Sequence, residues 1–96
     1  MPRRTARVGD PVGLHLRAAS RIVQLAKRFD CEIHIEYDGA QANAKSILGL
    51  ASLVARHREP LELIVEGPDE EAALDALVDL IEVGLASEGN EPSDRS

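Results

Sequence analysis

Apolar and polar residues alternate along three stretches of the chain, a pattern typical of strands with one face on a core and one face in water. The three stretches are residues 3–8, 31–37 and 61–66. An Asp-Gly pair at positions 38–39 follows the second stretch and predicts a tight hairpin turn. We therefore expect a short return strand near residues 40–44, which makes four strands in all.

Three further stretches place apolar residues at the 3.6-residue spacing of an amphipathic helix. The first helix is predicted over residues 16–29, and a second, shorter one within residues 45–57, with Ser46 as its N-cap. Asp69 is in position to cap the third helix. The buried stripe of that helix consists of Leu74, Leu77, Val78, Ile81 and Leu85.

The element order β-α-β-β-α-β-α predicts an α+β domain in which an antiparallel sheet carries all its helices on one side. The Asp-Pro-Val-Gly segment at 10–13 predicts a turn between the first strand and the first helix. We expect a single domain over residues 1–86. Residues 87–96 offer nothing to bury and are predicted to form a disordered acidic tail.

Composition and charge narrow the choice of partner. The 96 residues include no Trp, one Phe and one Tyr, so the core must be aliphatic. Seven Lys/Arg against two Asp give residues 1–30 a charge of +5, whereas four Lys/Arg against fifteen Asp/Glu give residues 31–96 a charge of −11. The basic third indicates an anionic partner, the alternative being an ordinary solvated surface. Nucleic acid is a poor candidate, because the total charge of −6 has the wrong sign and aromatic residues are scarce.

Cellular location and cofactors are constrained by what the sequence lacks. The single cysteine, Cys31, cannot form a disulfide within the chain, which is compatible with the cytosol. No apolar run approaches the roughly 20 residues of a membrane span, and the first ten residues do not resemble a signal peptide. We expect a cytoplasmic protein without membrane insertion. The sequence has no paired-cysteine metal pattern, so no metal or other cofactor is expected.

His15 is the side chain best placed for chemistry. It lies at the predicted start of the first helix, where free backbone N–H groups and the helix dipole favour an anion. A neutral imidazole is a nucleophile, and Arg17 adds a guanidinium whose geometry matches phosphoryl oxygens. Together they suit a phosphoryl group held transiently on nitrogen, the alternative being that His15 only caps the helix. His34 and His57 are expected to be ordinary surface histidines.

Two motifs carry a resemblance to a known family. "GLHLRAAS" at residues 13–20 resembles the active-site signature of HPr, the histidine phosphocarrier of the bacterial sugar phosphotransferase system. "GAQANAKSILGLASLVA" at residues 39–55 resembles the stretch around the regulatory serine of the same family. Both motifs stand at the positions where HPr proteins have them, and the predicted element order agrees. The resemblance covers about residues 3–86 and implies the open-faced β-sandwich fold of HPr.

The resemblance also implies roles and partners. His15 would take a phosphoryl group on Nδ1 from enzyme I and pass it to enzyme IIA domains, with Arg17 helping to hold it. The protein would be a carrier without turnover of its own, and a monomer. Ser46 matches the serine that HPr kinase/phosphorylase modifies in members that have this kinase. The docking faces of the first two helices would contain Leu16, Ser20, Arg21, Gln24, Ile47, Leu48 and Ala51.

Three residues near His15 depart from the family pattern. Ala18 replaces the usual proline, Leu16 replaces a small or hydroxylated residue, and Val12 stands where many members have Asn. These changes leave the chemistry of His15 intact and bear on the choice of partner.

Two other functions remain open at this stage. The first is a regulatory interaction module that presents apolar helix residues to a partner and is controlled through His15 or Ser46. The second is a small-molecule binding domain of similar α+β build. Loss of His15 or Arg17 would have favoured the regulatory module, and both residues are present.

Overall fold

Four antiparallel strands form the sheet. The computed structural model describes residues 2–86. The strands are β1 (Arg3–Arg7), β2 (Glu32–Tyr37), β3 (Ala40–Asn43) and β4 (Pro60–Glu66). Their spatial order is β1-β4-β2-β3, so the two central strands, β4 and β2, pair with each other and each also pairs with one edge strand. The predicted α+β fold with an antiparallel sheet is confirmed.

Three helices cover one face of this sheet. They are α1 (Leu16–Ala26), α2 (Ile47–Ala51) and α3 (Glu70–Asp79), and a π-helical turn, Leu80–Gly84, continues α3. Helix α1 contacts both α2 and α3, while α3 also contacts β1 and β4. No helix within residues 2–86 is long and apolar enough to cross a membrane.

The core between sheet and helices is aliphatic, as the composition predicts. Alternate strand residues point into it, and the fully buried ones are Ala6, Ile33, Ile35, Leu61, Leu63 and Val65. The predicted stripe of α3 is also buried, apart from Val78, which packs against the core while partly exposed. The opposite face of the sheet is polar apart from Ile64, and there Arg3 bridges Glu62 and Glu36 at 3.1 and 3.4 Å.

Two helices are shorter than the apolar pattern predicts. Helix α1 ends at Ala26 rather than at residue 29, because Arg28 and Phe29 donate their N–H groups to carbonyls three residues back in a tightened turn. Helix α2 ends at Ala51 rather than near residue 57. Ser52 caps the helix, and Val54, two residues further on, has a positive φ of 57°, which lies outside the right-handed helical region. Leu53 and Ala55 are buried from a non-helical segment, so the apolar spacing mimics a longer helix.

The start of α3 corrects one prediction. Asp69 does occupy the N-cap position, but its φ is +59° and its side chain makes no capping hydrogen bond. The neighbouring Glu70 carboxylate instead accepts a hydrogen bond from the N–H of Gly67 at 3.2 Å. The predicted acidic tail, residues 87–96, lies outside the described residues.

Candidate functional site

A tightly held turn delivers His15 to the start of α1. Gly13 donates its N–H to the Asp10 carbonyl at 2.9 Å and has a φ of +98°. A Cβ at Gly13 would lie 2.7 Å from the Ala55 carbonyl oxygen. That same oxygen accepts the N–H of buried Leu14 at 2.8 Å. The turn therefore packs directly on the segment that follows α2, and only glycine fits at its tightest point.

The imidazole of His15 is held at both ring nitrogens. Nδ1 lies 3.2 Å from the backbone N–H of Arg17, which makes His15 the N-cap of α1. Nε2 lies 3.2 Å from Oδ2 of Asp10. A backbone N–H can only donate and a carboxylate only accepts, so the tautomer that satisfies both contacts has its proton on Nε2 and a lone pair on Nδ1. The side chain is 28% exposed, so a partner can reach the ring.

Asp10 is the site residue that the sequence analysis missed. Its side chain is 2% exposed, and Oδ1 accepts the N–H of Val12 at 2.8 Å while Oδ2 faces His15. The sequence places it in an Asp-Pro-Val-Gly turn, where aspartate is common for local reasons. Its position five residues before His15 was the available signal, but the turn geometry decides whether the two side chains meet.

The other two histidines occupy different surroundings. His57 is exposed, as expected, but its Nδ1 also lies 3.2 Å from the backbone carbonyl of Asp10. Its Nε2 faces the Arg58 guanidinium at 3.3 Å. His34 is half-buried on the open face of the sheet, between its strand neighbours Asn43 and Ile64.

Arg17 supplies an available cation. The residue is exposed in the first turn of α1, and its guanidinium has no hydrogen-bond or ion-pair partner among residues 2–86. It follows His15 by two residues, and its backbone N–H already contacts Nδ1. The unprotonated ring nitrogen therefore lies at a helix N-terminus, two residues from an arginine whose guanidinium is unpaired within residues 2–86, and both features favour an anion there.

Ser46 is the N-cap of α2, as predicted. Its exposed side chain accepts the N–H of Gly49 through Oγ at 3.1 Å. The hydroxyl proton is not used by this contact, because Oγ only accepts in it. Modification of Ser46 stays a prediction.

The residues predicted to dock partners fall into three groups. Leu16, Ile47 and Leu48 are 58%, 38% and 76% exposed, and we call these three side chains the apolar surface. They lie at the starts of α1 and α2, which contact each other. Arg21 and Gln24 line a shallow groove between α1 and α3 instead. The remaining two, Ser20 and Ala51, are half-buried.

Two of the residues that depart from the family pattern, Ala18 and Val12, lie on opposite sides of the burial scale. Ala18 is 1% exposed within α1, which forms without the proline that is usual at this place. Val12 is 71% exposed beside the site, and its side chain offers no hydrogen bond.

Comparisons with known proteins identify the family. A family model described as the PTS HPr component phosphorylation site matches residues 2–83. Phosphocarrier protein HPr of Treponema pallidum is 49% identical over 74 residues, which cover 77% of this chain and 84% of that protein. The crystal structure of HPr-C-His from Thermoanaerobacter tengcongensis matches with a TM-score of 0.82 and 42% identity, covering 95% of this chain and 98% of that one.

A regulatory relative is also similar. Crh, the catabolite repression containing protein of Bacillus subtilis, matches with a TM-score of 0.69 and 38% identity over 85% of this chain and 94% of its own. That protein was solved as a domain-swapped dimer, so the monomeric state of this chain stays a prediction. Fold, family model and relatives agree, and the chain belongs to the HPr family of the phosphotransferase system.

Proposed function

We propose that the protein is a phosphocarrier of the phosphotransferase system and that His15 carries the phosphoryl group on Nδ1. The observation that carries the proposal is the state of this nitrogen. Nδ1 has its lone pair at the N-terminus of α1, where it accepts the backbone N–H of Arg17, and the guanidinium of that arginine has no hydrogen-bond or ion-pair partner within residues 2–86. Family membership supports the same role.

The protein contributes position and charge to the transfer. Phosphoryl transfer needs the attacking and leaving atoms in line and its negative charge stabilised, with little other chemistry from the protein. The hydrogen bond from Arg17 N–H orients the ring, and the guanidinium of the same residue can contact the phosphoryl oxygens. The carrier itself then needs no turnover, since it receives and returns the same group.

We propose enzyme I as the donor and enzyme IIA domains as the acceptors. The family membership supports both, and the basic first third of the chain suits an acidic donor surface. The apolar surface borders the site through Leu16, the residue directly after His15. Large exposed apolar side chains beside a reactive group are typical of a docking surface.

Ser46 is proposed as a regulatory site for HPr kinase/phosphorylase. Its side chain is exposed and lies directly before Ile47 of the apolar surface. A phosphate there would add about two negative charges to a surface that must meet an acidic donor. A Ser46→Asp protein should therefore accept phosphate from enzyme I more slowly than wild type. An equal rate would contradict this role.

The experiment that tests the carrier function is labelling with phosphoenolpyruvate and enzyme I. We expect label that is lost in acid, survives alkali and is absent from His15→Ala. Arg17→Ala should be labelled more slowly, and purified IIA domains should remove the label from wild type. Label retained by His15→Ala would contradict the proposal.

The second candidate is a regulatory interaction module, favoured by the similarity to Crh and by the apolar surface. It predicts that the folded protein takes no label while a standard HPr in the same tube is labelled. The apolar surface would then bind a regulatory partner directly, and Leu48→Glu should abolish that binding.

A further inference from the structure

We propose that Asp10 is a positioning residue for the transfer, one that keeps the proton of His15 on Nε2 before and after phosphorylation. This rests on the proposed carrier function and adds a residue to it. Asp10 never touches the phosphoryl group in this account. It acts only through the imidazole, by fixing which nitrogen attacks and by facing the positive charge that the ring acquires.

The Asp10 carboxylate is buried at the site, and both of its oxygens have a partner. Its side chain is 2% exposed, and a carboxylate so buried needs a partner for each oxygen. Oδ1 accepts the N–H of Val12 at 2.8 Å, and Oδ2 accepts the Nε2–H of His15 at 3.2 Å. The imidazole is thus the side-chain partner of a buried anion and not merely its neighbour.

The backbone of Asp10 is fixed as well. Its carbonyl accepts the N–H of Gly13 at 2.9 Å and faces Nδ1 of His57 at 3.2 Å. The first contact closes the turn, and the second ties it to the segment after α2. With both ends of the residue held, Oδ2 is directed at Nε2 without the freedom that a surface aspartate has.

The transfer balances without moving a proton. The Arg17 N–H···Nδ1 hydrogen bond opens, and the freed Nδ1 lone pair forms the new N–P bond while the N–P bond of a donor phosphohistidine breaks and its electron pair returns to the donor nitrogen. The released Arg17 N–H can then donate to a phosphoryl oxygen. Nε2 keeps its hydrogen, so the phosphorylated ring becomes positively charged next to the Asp10 carboxylate. Transfer onward reverses these steps. Phosphorylation at Nε2 is disfavoured, because that nitrogen bears the proton and faces a buried anion.

Asp10→Asn is the sharp test, because an amide offers one acceptor oxygen and one donor nitrogen. If the oxygen stays with Val12 N–H, the amide nitrogen faces Nε2 and favours the opposite tautomer, as an aspartate-to-asparagine change does in the serine protease triad. The matched control is Asp38→Asn, since Asp38 is exposed in a hairpin turn with a φ of +52°, a conformation that Asn tolerates.

Two readouts are needed. The ¹⁵N chemical shifts of His15 report the tautomer directly and require no phosphorylation. The rate of labelling by enzyme I reports the function. For Asp10→Asn we expect a loss of the unprotonated Nδ1 signal and a fall in the labelling rate of about 10- to 100-fold, the factor associated with one charge-assisted hydrogen bond. Asp38→Asn should keep the wild-type tautomer and rate.

The outcomes separate this inference from the carrier function. A wild-type ring with its proton on Nδ1 would overturn the inference without any variant. An Asp10→Asn protein with the wild-type tautomer and labelling rate would also overturn it, because Asp10 would then only accept the Val12 N–H in the turn. A wild-type protein that has the expected tautomer but takes no label would refute the carrier function instead, while Asp10 would still control the ring.

Discussion

Gly13→Ala should destabilise the protein through two separate effects. The backbone angle there is φ +98°, where an L-residue is strained by about 1–2 kcal/mol. In addition, the new Cβ would lie 2.7 Å from the Ala55 carbonyl oxygen, a backbone atom that cannot rotate away. That oxygen accepts the N–H of Leu14 at 2.8 Å, so relief of the clash costs a hydrogen bond of about 1 kcal/mol or forces overpacking of about 1–3 kcal/mol.

Gly39→Ala is the matched control. Its φ is +84°, so the backbone strain is similar, but apart from its two chain neighbours no atom of residues 2–86 lies within 4 Å of the added Cβ. We expect Gly39→Ala to lower the free energy of unfolding by about 1–2 kcal/mol and Gly13→Ala by about 2–5 kcal/mol. The difference between the variants isolates the contact with Ala55.

Urea denaturation followed by circular dichroism measures both values, and the extra loss should lower the melting temperature of Gly13→Ala by at least about 4 °C relative to Gly39→Ala. Because Gly13 also accepts the His15 N–H at 3.0 Å, Gly13→Ala should be labelled more slowly by enzyme I, whereas Gly39→Ala should not. Equal destabilisation by the two substitutions would refute the close packing of the turn against Ala55.

Three further predictions concern other parts of the fold. Ser46→Ala removes the N-cap hydrogen bond of α2 and should lower the free energy of unfolding by about 1 kcal/mol in urea; an unchanged midpoint would argue against the cap. The hydrogen bond from Tyr37 to Glu59 raises the pKa of Tyr37 above 10.0 and lowers the pKa of Glu59 below 4.5. The stabilisation is therefore present between these values and is lost as pH falls through the lowered pKa of Glu59 or rises through the raised pKa of Tyr37. The difference in melting temperature between wild type and Tyr37→Phe should accordingly be largest near neutral pH, and a difference independent of pH would contradict the pairing. Burial raises the pKa of the Cys31 thiol, so its reaction with a disulfide reagent should be slow in the native protein and fast in urea; equal rates would place Cys31 at the surface.

The strands and the position of His15 could be predicted from the sequence because each depends on local rules. Alternation identifies β2 through Ile33 and Ile35, whichever strands lie beside it. The length of α2 could not be predicted in this way, since Leu53 and Ala55 continue a helical spacing but are buried from an irregular segment. Apolar spacing reports burial, and burial alone does not distinguish a helix from a loop that packs on the core.

The contacts that hold the His15 ring could not be predicted from the sequence, for a different reason. The contact of Asp10 with Nε2 depends on how the turn at residues 10–13 is folded, and turn-forming residues allow several conformations. The contact of His57 with the Asp10 carbonyl joins residues 47 positions apart, which no local pattern reports. Sequence reasoning could therefore find the reactive side chain and its arginine, but not the anion that holds the ring.

The central claim is that Nδ1 of His15 receives the phosphoryl group. The direct measurement is a ³¹P–¹⁵N correlation spectrum of protein labelled with ¹⁵N-histidine and phosphorylated by enzyme I and phosphoenolpyruvate. Because Nδ1 has the lone pair and Nε2 faces a buried carboxylate, we expect one coupling, at Nδ1 of His15, with Nε2 still protonated. Phosphorus coupled to Nε2, or to His34 or His57, would contradict the account.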